Sequence, residues 1–305
     1  MKRFAERIGG LPALLISMCI WGTIGIFRQY IDFPSGLIAF FRGAVGMLFL
    51  LLVMLIGKKR PDLRAWRKNI IPLCISGVLL GANWILLFES YNPNLTGHTS
   101  VAVATICYYM APVIITLLAP FMLKERLTVK KVICVAVAFG GVVLVTLFSG
   151  EQIGAEGAQW LGILLALSAA FMYALIVLLN KKMKDISALD RTMAQLGISA
   201  VVMLPYTLIA EPVYTLTFNA ADVAHLAVIC LLHTGVAYAL YFGSIGRLQA
   251  QTAALCSYID PVETIILSAV LLGENIGAWG IVGAVLVIGA ALVGELQLSA
   301  LLKKR

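Results

Sequence analysis

Residues 108–125 read YYMAPVIITLLAPFMLKE, and residues 257–274 read SYIDPVETIILSAVLLGE. Sliding the chain by 149 positions lays the first on the second without a gap. Pro112-Val113 then falls on Pro261-Val262, Leu123 on Leu272 and Glu125 on Glu274, and further on Gly140 falls on Gly289. The identities are few, but the hydropathy pattern repeats at the same offset, which points to an internal duplication. Pro261 removes a backbone donor and frees a carbonyl one turn earlier, so the apolar run around it reads as a broken helix.

The composition is that of a membrane protein. Apolar residues make up 61% of the chain and charged ones 12%, with a mean hydropathy of +0.97; soluble domains sit nearer half and a quarter. A chain of 305 residues this apolar must use lipid as part of its solvent. The net charge of +8 does not point to nucleic acid, because the basic residues sit in short loops and form no long arm. Cys19, Cys74, Cys107, Cys134, Cys230 and Cys256 lie in apolar runs without metal-ligand spacing and read as small buried hydrophobes. No metal or other cofactor is expected. The basic stretch Met1 to Arg7 has no small-residue cleavage site and leads into a retained first span.

About 20 apolar residues cross a bilayer core as a helix. That rule predicts spans near 9–28, 35–56, 70–90, 100–122, 131–149, 159–180, 192–210, 223–245, 250–272 and 277–297. The loops at alternate ends hold 21 of the 23 Lys and Arg residues, among them Lys58, Arg64, Lys130, Lys181 and Arg247. The opposite loops carry Glu151, Glu156, Glu211, Asp222 and Glu274 and no Lys or Arg. The positive-inside rule then puts both termini in the cytoplasm. Residues 1–150 and 151–305 form two repeats of five spans. Five is odd, so the repeats enter from opposite sides, an inverted topology that puts a substrate site near the midplane. The expected fold is all-α, polytopic, with ten transmembrane helices.

Several short motifs fit one family in their order and spacing. Trp21-Gly22 lies in the first span, Arg42 follows Phe40-Phe41 in the second, and Ala111-Pro112 lies in the fourth, followed by Lys124-Glu125-Arg126-Leu127. Asp260-Pro261 lies in the ninth span, and Leu272-Gly273-Glu274 closes it. Across essentially its whole length the chain resembles the drug/metabolite transporter superfamily, in its bacterial ten-helix EamA-type branch. The resemblance implies movement of small metabolites, often amino acids, usually outward, by a proton- or gradient-linked mechanism. It also implies a multi-pass protein of the bacterial inner membrane. The polar stretch from Tyr91 to His98 is a few residues longer than the family's third outer connection.

Ionisable groups inside spans are costly, which makes each a functional candidate. Arg42 lies deep in the second span, where it fits either a counter-ion for a substrate carboxylate or a structural partner of an intramembrane acid or of exposed helix-end carbonyls. Asp260 and Glu263 sit three residues apart on one helix face beside the proline break. Their equivalents in the first half are Ala111 and Ile114, and that asymmetry favours function over architecture. Like charges this close, shielded from water, suit proton exchange, with Glu263 the first candidate for the coupling group. Asn83 and Trp84, then Tyr108, Tyr109 and Tyr258 beside the breaks, are candidates to line a cavity and contact substrate; ordinary packing fits the tyrosines equally well. His233 fits a proton relay or a satisfied core histidine. Glu89 reads as a solvated helix end, and Arg28 and Tyr30 as residues that snorkel to the interface. Gly140, Gly141 and Gly289 read as close-contact positions between helices.

Three function classes fit such a chain. A secondary transporter of a small polar metabolite, such as an amino acid or related amine, uses the midplane acids and Arg42. A membrane-embedded enzyme lacks support: there is no H-E-x-x-H, no Ser or Cys nucleophile beside a His base, and no glycine-rich nucleotide loop. A scaffold or receptor has no use for the acids. Lipid and a small solute are the expected partners; one chain suffices for a pathway, whether as monomer or homodimer. With both termini in the cytoplasm, reporter fusions at either end are active only inside. A reporter active outside at either end removes the ten-span arrangement.

Overall fold

The computed structural model describes residues 10–96, 99–124, 128–148, 158–211, 213–216, 218–245, 248, 256 and 258–302. Lys2, Arg3, Arg7, His98, Glu125, Arg126, Leu127, Glu151, Glu156, Arg247 and Lys303 to Arg305 lie outside the described residues, as does most of the first half of the ninth predicted span. All the regular secondary structure described is helical. The principal helices are α1 (Gly10–Gln29), α2 (Ser35–Ile56), α3 (Ile70–Ser90) and α4 (Val101–Leu123), then α5 (Val129–Phe148) and α6 (Ala158–Lys182). They continue with α7 (Ala188–Ala210) and α8 (Ala220–Ser244), α9 (Ile259–Leu271) and α10 (Gly277–Leu302).

Seven of these, α1 to α4 and α6 to α8, are long and apolar enough to cross a membrane. In α5 and α10 the apolar stretches are the shorter Val132–Val145 and Gly277–Ala290, and α9 is described over 13 residues. The fold is therefore a polytopic helical membrane protein with seven such spans among the described residues, against the ten expected from hydropathy.

The packing is two-fold in pattern. Helix α2 packs along α7, α5 along α10, and α4 against α9. Further contacts come in matched pairs: α3 with α6 and α8 with α1, α4 with α6 and α9 with α1, α3 with α7 and α8 with α2. Each of these pairs maps onto the other when every helix is exchanged with the one five places along, whereas the contacts of α2 with α3 and of α4 with α5 have no comparable counterpart among the described residues.

Carboxylates cap helix starts across these contacts. Glu274 accepts from the Ser100 hydroxyl (2.8 Å) and from the Val101 (2.8 Å) and Ala102 (3.2 Å) amides, which open α4. Glu211, just past α7, accepts from the Gly36 (2.7 Å) and Leu37 (3.1 Å) amides, which open α2. The first amides of a helix have no partner of their own, and a carboxylate also suits the positive end of the dipole. Burial pushes the Glu211 carboxyl above its ordinary range, and the two amide donors pull it back. At the other end of the bundle the exposed Lys68 pairs with Asp185 and holds that carboxyl below its ordinary range. An ion pair so exposed adds little stability.

Two readings change. Arg28 does not snorkel: it is 8% exposed, and its terminal nitrogens donate to the Ile31 carbonyl (2.7 Å) and Ser35 hydroxyl (3.2 Å). The turn between α1 and α2 offers acceptors closer than the interface does. Tyr30 does reach the surface. The extended Tyr91 connection folds into a helical turn, Pro93–Thr96, with Tyr91 buried beneath and its hydroxyl 3.2 Å from Thr105 Oγ1.

The second change concerns the glycines. Gly140 and Gly289 face open space. Gly141 makes the close approach: a Cβ there would lie 2.7 Å from the Gly283 carbonyl oxygen of α10 and 2.9 Å from Val287. Gly141→Ala is therefore expected to lower the melting temperature in detergent, at a cost of about 1–3 kcal/mol from overpacking. Gly140→Ala is expected to be neutral or to gain up to about 1 kcal/mol of helix propensity. Equal melting temperatures for the two variants would remove the close α5–α10 contact.

Candidate functional site

The site grows out of three broken helices. In α4 the helix runs from Val101 to Tyr108, turns at Tyr109 and Met110, and resumes at Ala111 with Pro112 in its first turn. In α9 Tyr258 is a turn residue and the helix starts at Ile259. Tyr109 and Tyr258 are equivalent under the 149-residue shift, and their rings meet across the two breaks at 6.5 Å. The third break, at Thr23, splits α1 into Gly10–Gly22 and Ile24–Gln29.

Threonine hydroxyls bond carbonyls beside these breaks. Thr264 donates to the Gly22 carbonyl (2.8 Å) and lies 3.0 Å from the Asp260 carbonyl. Thr116 donates to the Pro112 carbonyl (2.9 Å). Gly22 admits this packing because it has no side chain: a Cβ there would lie 2.9 Å from Glu263 Oε2 and 3.0 Å from the Asp260 carbonyl oxygen.

Arg42 lies seven residues into α2, about 10 Å from its end, and is 4% exposed. Its Nε donates to Thr234 Oγ1 at 3.0 Å. The guanidinium carbon lies 4.1 Å from the Trp84 ring centroid and 5.3 Å from that of Phe88, a cation–π arrangement. No carboxylate pairs with it among the described residues. Tyr238, Cys230, Tyr108 and Tyr91 also lie near it. A tyrosine series runs from Tyr173 to Tyr108 (5.8 Å), Tyr109 (6.3 Å) and Tyr258. Tyr108, Tyr109 and Tyr238 lie deep among the helices, yet each keeps part of its surface open.

The structure separates the two acids that share a face of α9. Asp260 turns toward Tyr109 and the tyrosine series. Glu263 turns toward α1, against Gly22 and Cys19, and its Oε2 is sealed from solvent without a hydrogen-bond partner. Neither acid forms an ion pair with Arg42. Asn83 donates to the Ala169 carbonyl (2.7 Å) and approaches the Tyr108 hydroxyl, so it orients that ring.

His233 is wholly buried, with Nε2 2.9 Å from Thr23 Oγ1 and Nδ1 3.3 Å from the Val228 carbonyl. Both ring nitrogens are engaged. Trp21 donates its indole N–H to the His233 carbonyl (2.8 Å), so the Trp-Gly pair of the first span ties α1 to α8 through Trp21 and to α9 through Gly22. No cluster of three His, Cys, Asp or Glu able to hold a metal exists among the described residues.

The sequence marks Arg42, Asn83, Trp84, Tyr108, Tyr109, His233, Tyr258, Asp260 and Glu263 as candidates. It missed Phe88, Tyr173, Thr234 and Tyr238. Thr234 lies in a π-helical segment, Ile229–Val236, whose five-residue hydrogen bonds displace the residues that follow from the positions a regular helix would give them. No local pattern in the sequence marks that displacement.

The chain matches the EamA-like transporter family twice, at residues 8–147 and 160–294. It is 28% identical over 290 residues to an uncharacterized transporter of Bacillus subtilis, YxxF, covering 92% of this chain and 87% of that one. Protein RarD of Salmonella typhimurium is 24% identical, with 88% of each chain covered. A probable amino-acid metabolite efflux pump of Salmonella typhimurium is 27% identical over 187 residues, 58% of this chain and 61% of that one. A protein of known crystal structure shares the fold, with a TM-score of 0.66 at 18% identity over 95% of this chain and 99% of that one. With both matched segments covering most of its length, the chain belongs to the EamA-like transporter family.

Proposed function

We propose that this membrane transporter is a secondary exporter of amino acids or closely related small metabolites, coupled to protons and working by alternating access. In this reading it has ten spans in two inverted halves, 1–150 and 151–305, and lies in a bacterial inner membrane with both termini in the cytoplasm. The matched helix pairs and the two family matches support the halves. The one-sided Lys and Arg distribution supports the orientation.

One observation carries the substrate class. Arg42 is a buried cation with neutral and aromatic neighbours and no acid paired with it among the described residues. A buried charge without a counter-ion is costly, and a substrate carboxylate supplies one. Trp84, Tyr108, Tyr109 and Tyr258 then face the body of the substrate, and Asp260 receives its ammonium group or a proton in alternate steps. Exchange between the two accounts for coupling: a protonated Asp260 releases the amine, and an ionised one takes it. Asp260 carries this role better than Glu263 because it turns toward the tyrosines, whereas Glu263 turns toward α1. His233 and Asn83 hold helices and rings in place. The name of the Salmonella efflux pump points the same way in substrate class and direction.

Counterflow of tritiated L-amino acids in proteoliposomes tests the reading. Arg42→Ala is expected to lower it at least tenfold in folded protein, on the order of one charged hydrogen-bond pair. Arg42→Lys is expected to rescue poorly, since a single ammonium does not reproduce a planar fork. Parent-like counterflow in the Ala variant removes Arg42 from the site.

A pH gradient separates the two acids. Asp260→Asn is expected to abolish the acceleration that the gradient gives the parent, and Glu263→Gln to retain it. The opposite result hands the coupling role to Glu263.

A further inference from the structure

Thr234 is wholly buried in the π-helical segment of α8, and its two branches have different partners. Its Oγ1 accepts from Arg42 Nε at 3.0 Å and donates to the Ile229 carbonyl, five residues back, at 3.1 Å. Its Cγ2 packs on α2 at Gly46, where a Cβ would lie 2.6 Å away. One π turn shifts the residues beyond it by one helical position, about 100° of rotation. Where such a turn occurs in a helix it often marks a functional site.

The guanidinium of Arg42 is thereby held on two sides. Thr234 takes Nε, and the Trp84 ring covers a face at 4.1 Å. The two terminal nitrogens have no hydrogen-bond partner among the described residues. A carboxylate can meet a guanidinium side-on, through Nε and one terminal nitrogen, or end-on, through both terminal nitrogens. With Nε occupied, the end-on edge is the one left.

We propose that Thr234 is the positioning residue of the anion site. By holding Nε it turns the terminal edge of Arg42 toward the substrate, so that a carboxylate is gripped end-on by a two-nitrogen fork. This rests on the reading of Arg42 as the substrate's counter-ion. The matching ligand carries a free planar carboxylate on a body small enough to lie among Trp84, Tyr108 and Tyr238. An amine of the same shape without the carboxylate is a poor ligand.

The two branches of Thr234 allow a clean test. Thr234→Val keeps the shape and the contact with Gly46 and removes the acceptor. Thr234→Ser keeps the acceptor and removes the methyl group. Counterflow of a tritiated L-amino-acid mixture is measured in proteoliposomes against total concentration. The Val variant is expected to raise the half-saturation concentration roughly tenfold, the scale of one hydrogen bond to a charged group, with the maximal rate near the parent's. The Ser variant stays within about twofold of the parent, because it keeps that hydrogen bond.

In parallel, NMR of arginine-labelled protein follows hydrogen exchange at Arg42 Nε, assigned by its loss in Arg42→Lys. Exchange accelerates in Val and stays slow in Ser. This readout needs no substrate, so failure of the mixture to be transported counts against the proposed substrate class while exchange still decides the role of Thr234. Parent-like half-saturation and slow exchange in the Val variant overturn the proposal. Equal damage in Ser and Val also overturns it, because the effect then belongs to packing on Gly46. Thr234→Ala, which lacks both branches, replaces Val in the exchange comparison if Val does not fold.

Discussion

A helix that breaks inside hydrocarbon strips backbone groups of their partners, and no water is present to replace them. Each orphan left unsatisfied costs on the order of several kcal/mol. This chain breaks α1, α4 and α9 and widens α8 into a π turn, and the rest of the structure is organised around the repairs. Thr264 reaches the Gly22 carbonyl, Trp21 reaches the His233 carbonyl, and Thr23 meets the His233 ring. Three helices distant in sequence are joined at their irregular points by bonds that satisfy one another.

The repairs also gather polar chemistry where an ordinary bundle would have only apolar packing. Arg42 is held by a threonine of the π segment and by the faces of Trp84 and Phe88. Tyr109 and Tyr258, repeat equivalents, meet across the breaks of α4 and α9, and Asp260 stands beside them. The carboxylates that serve architecture lie elsewhere, at helix starts: Glu211 on α2 and Glu274 on α4. Two classes of acid thus occupy one molecule. Those at helix ends complete a hydrogen-bond pattern, and Asp260 faces a partly open tyrosine-lined region.

Much of the site was legible as an exception to hydropathy. Arg42, Asp260 and Glu263 stand out because charges inside spans are rare, and the breaks of α4 and α9 stand out because of Pro112 and Pro261. The break in α1 has no proline and the π turn no composition of its own, so neither was visible. Arg28 looked like an interfacial residue because it lies near a helix end, yet the turn beyond it supplied acceptors and it stayed buried. Gly140 looked like a packing residue because it matches Gly289, yet the neighbouring Gly141 faces α10. A helix face is settled by where the partner lies, and sequence spacing gives only the period.

The sequence by itself determined the solvent, the helical class, the internal repeat and the family. These follow from local composition and from order along the chain: a run of apolar residues needs lipid, and a repeated pattern needs no contact to be seen. The tertiary structure alone decided which polar groups meet. Arg42 and Thr234 are 192 residues apart, as Trp21 and His233 are 212 apart. Neither pairing has a local signature, because each depends on how α2 and α1 cross α8. It was the packing, too, that separated Asp260 from Glu263, sending one toward the tyrosines and the other toward α1. Residues three apart share a helix face, but at the seam between two neighbouring helices that face divides, and each side chain takes the environment of the helix it meets.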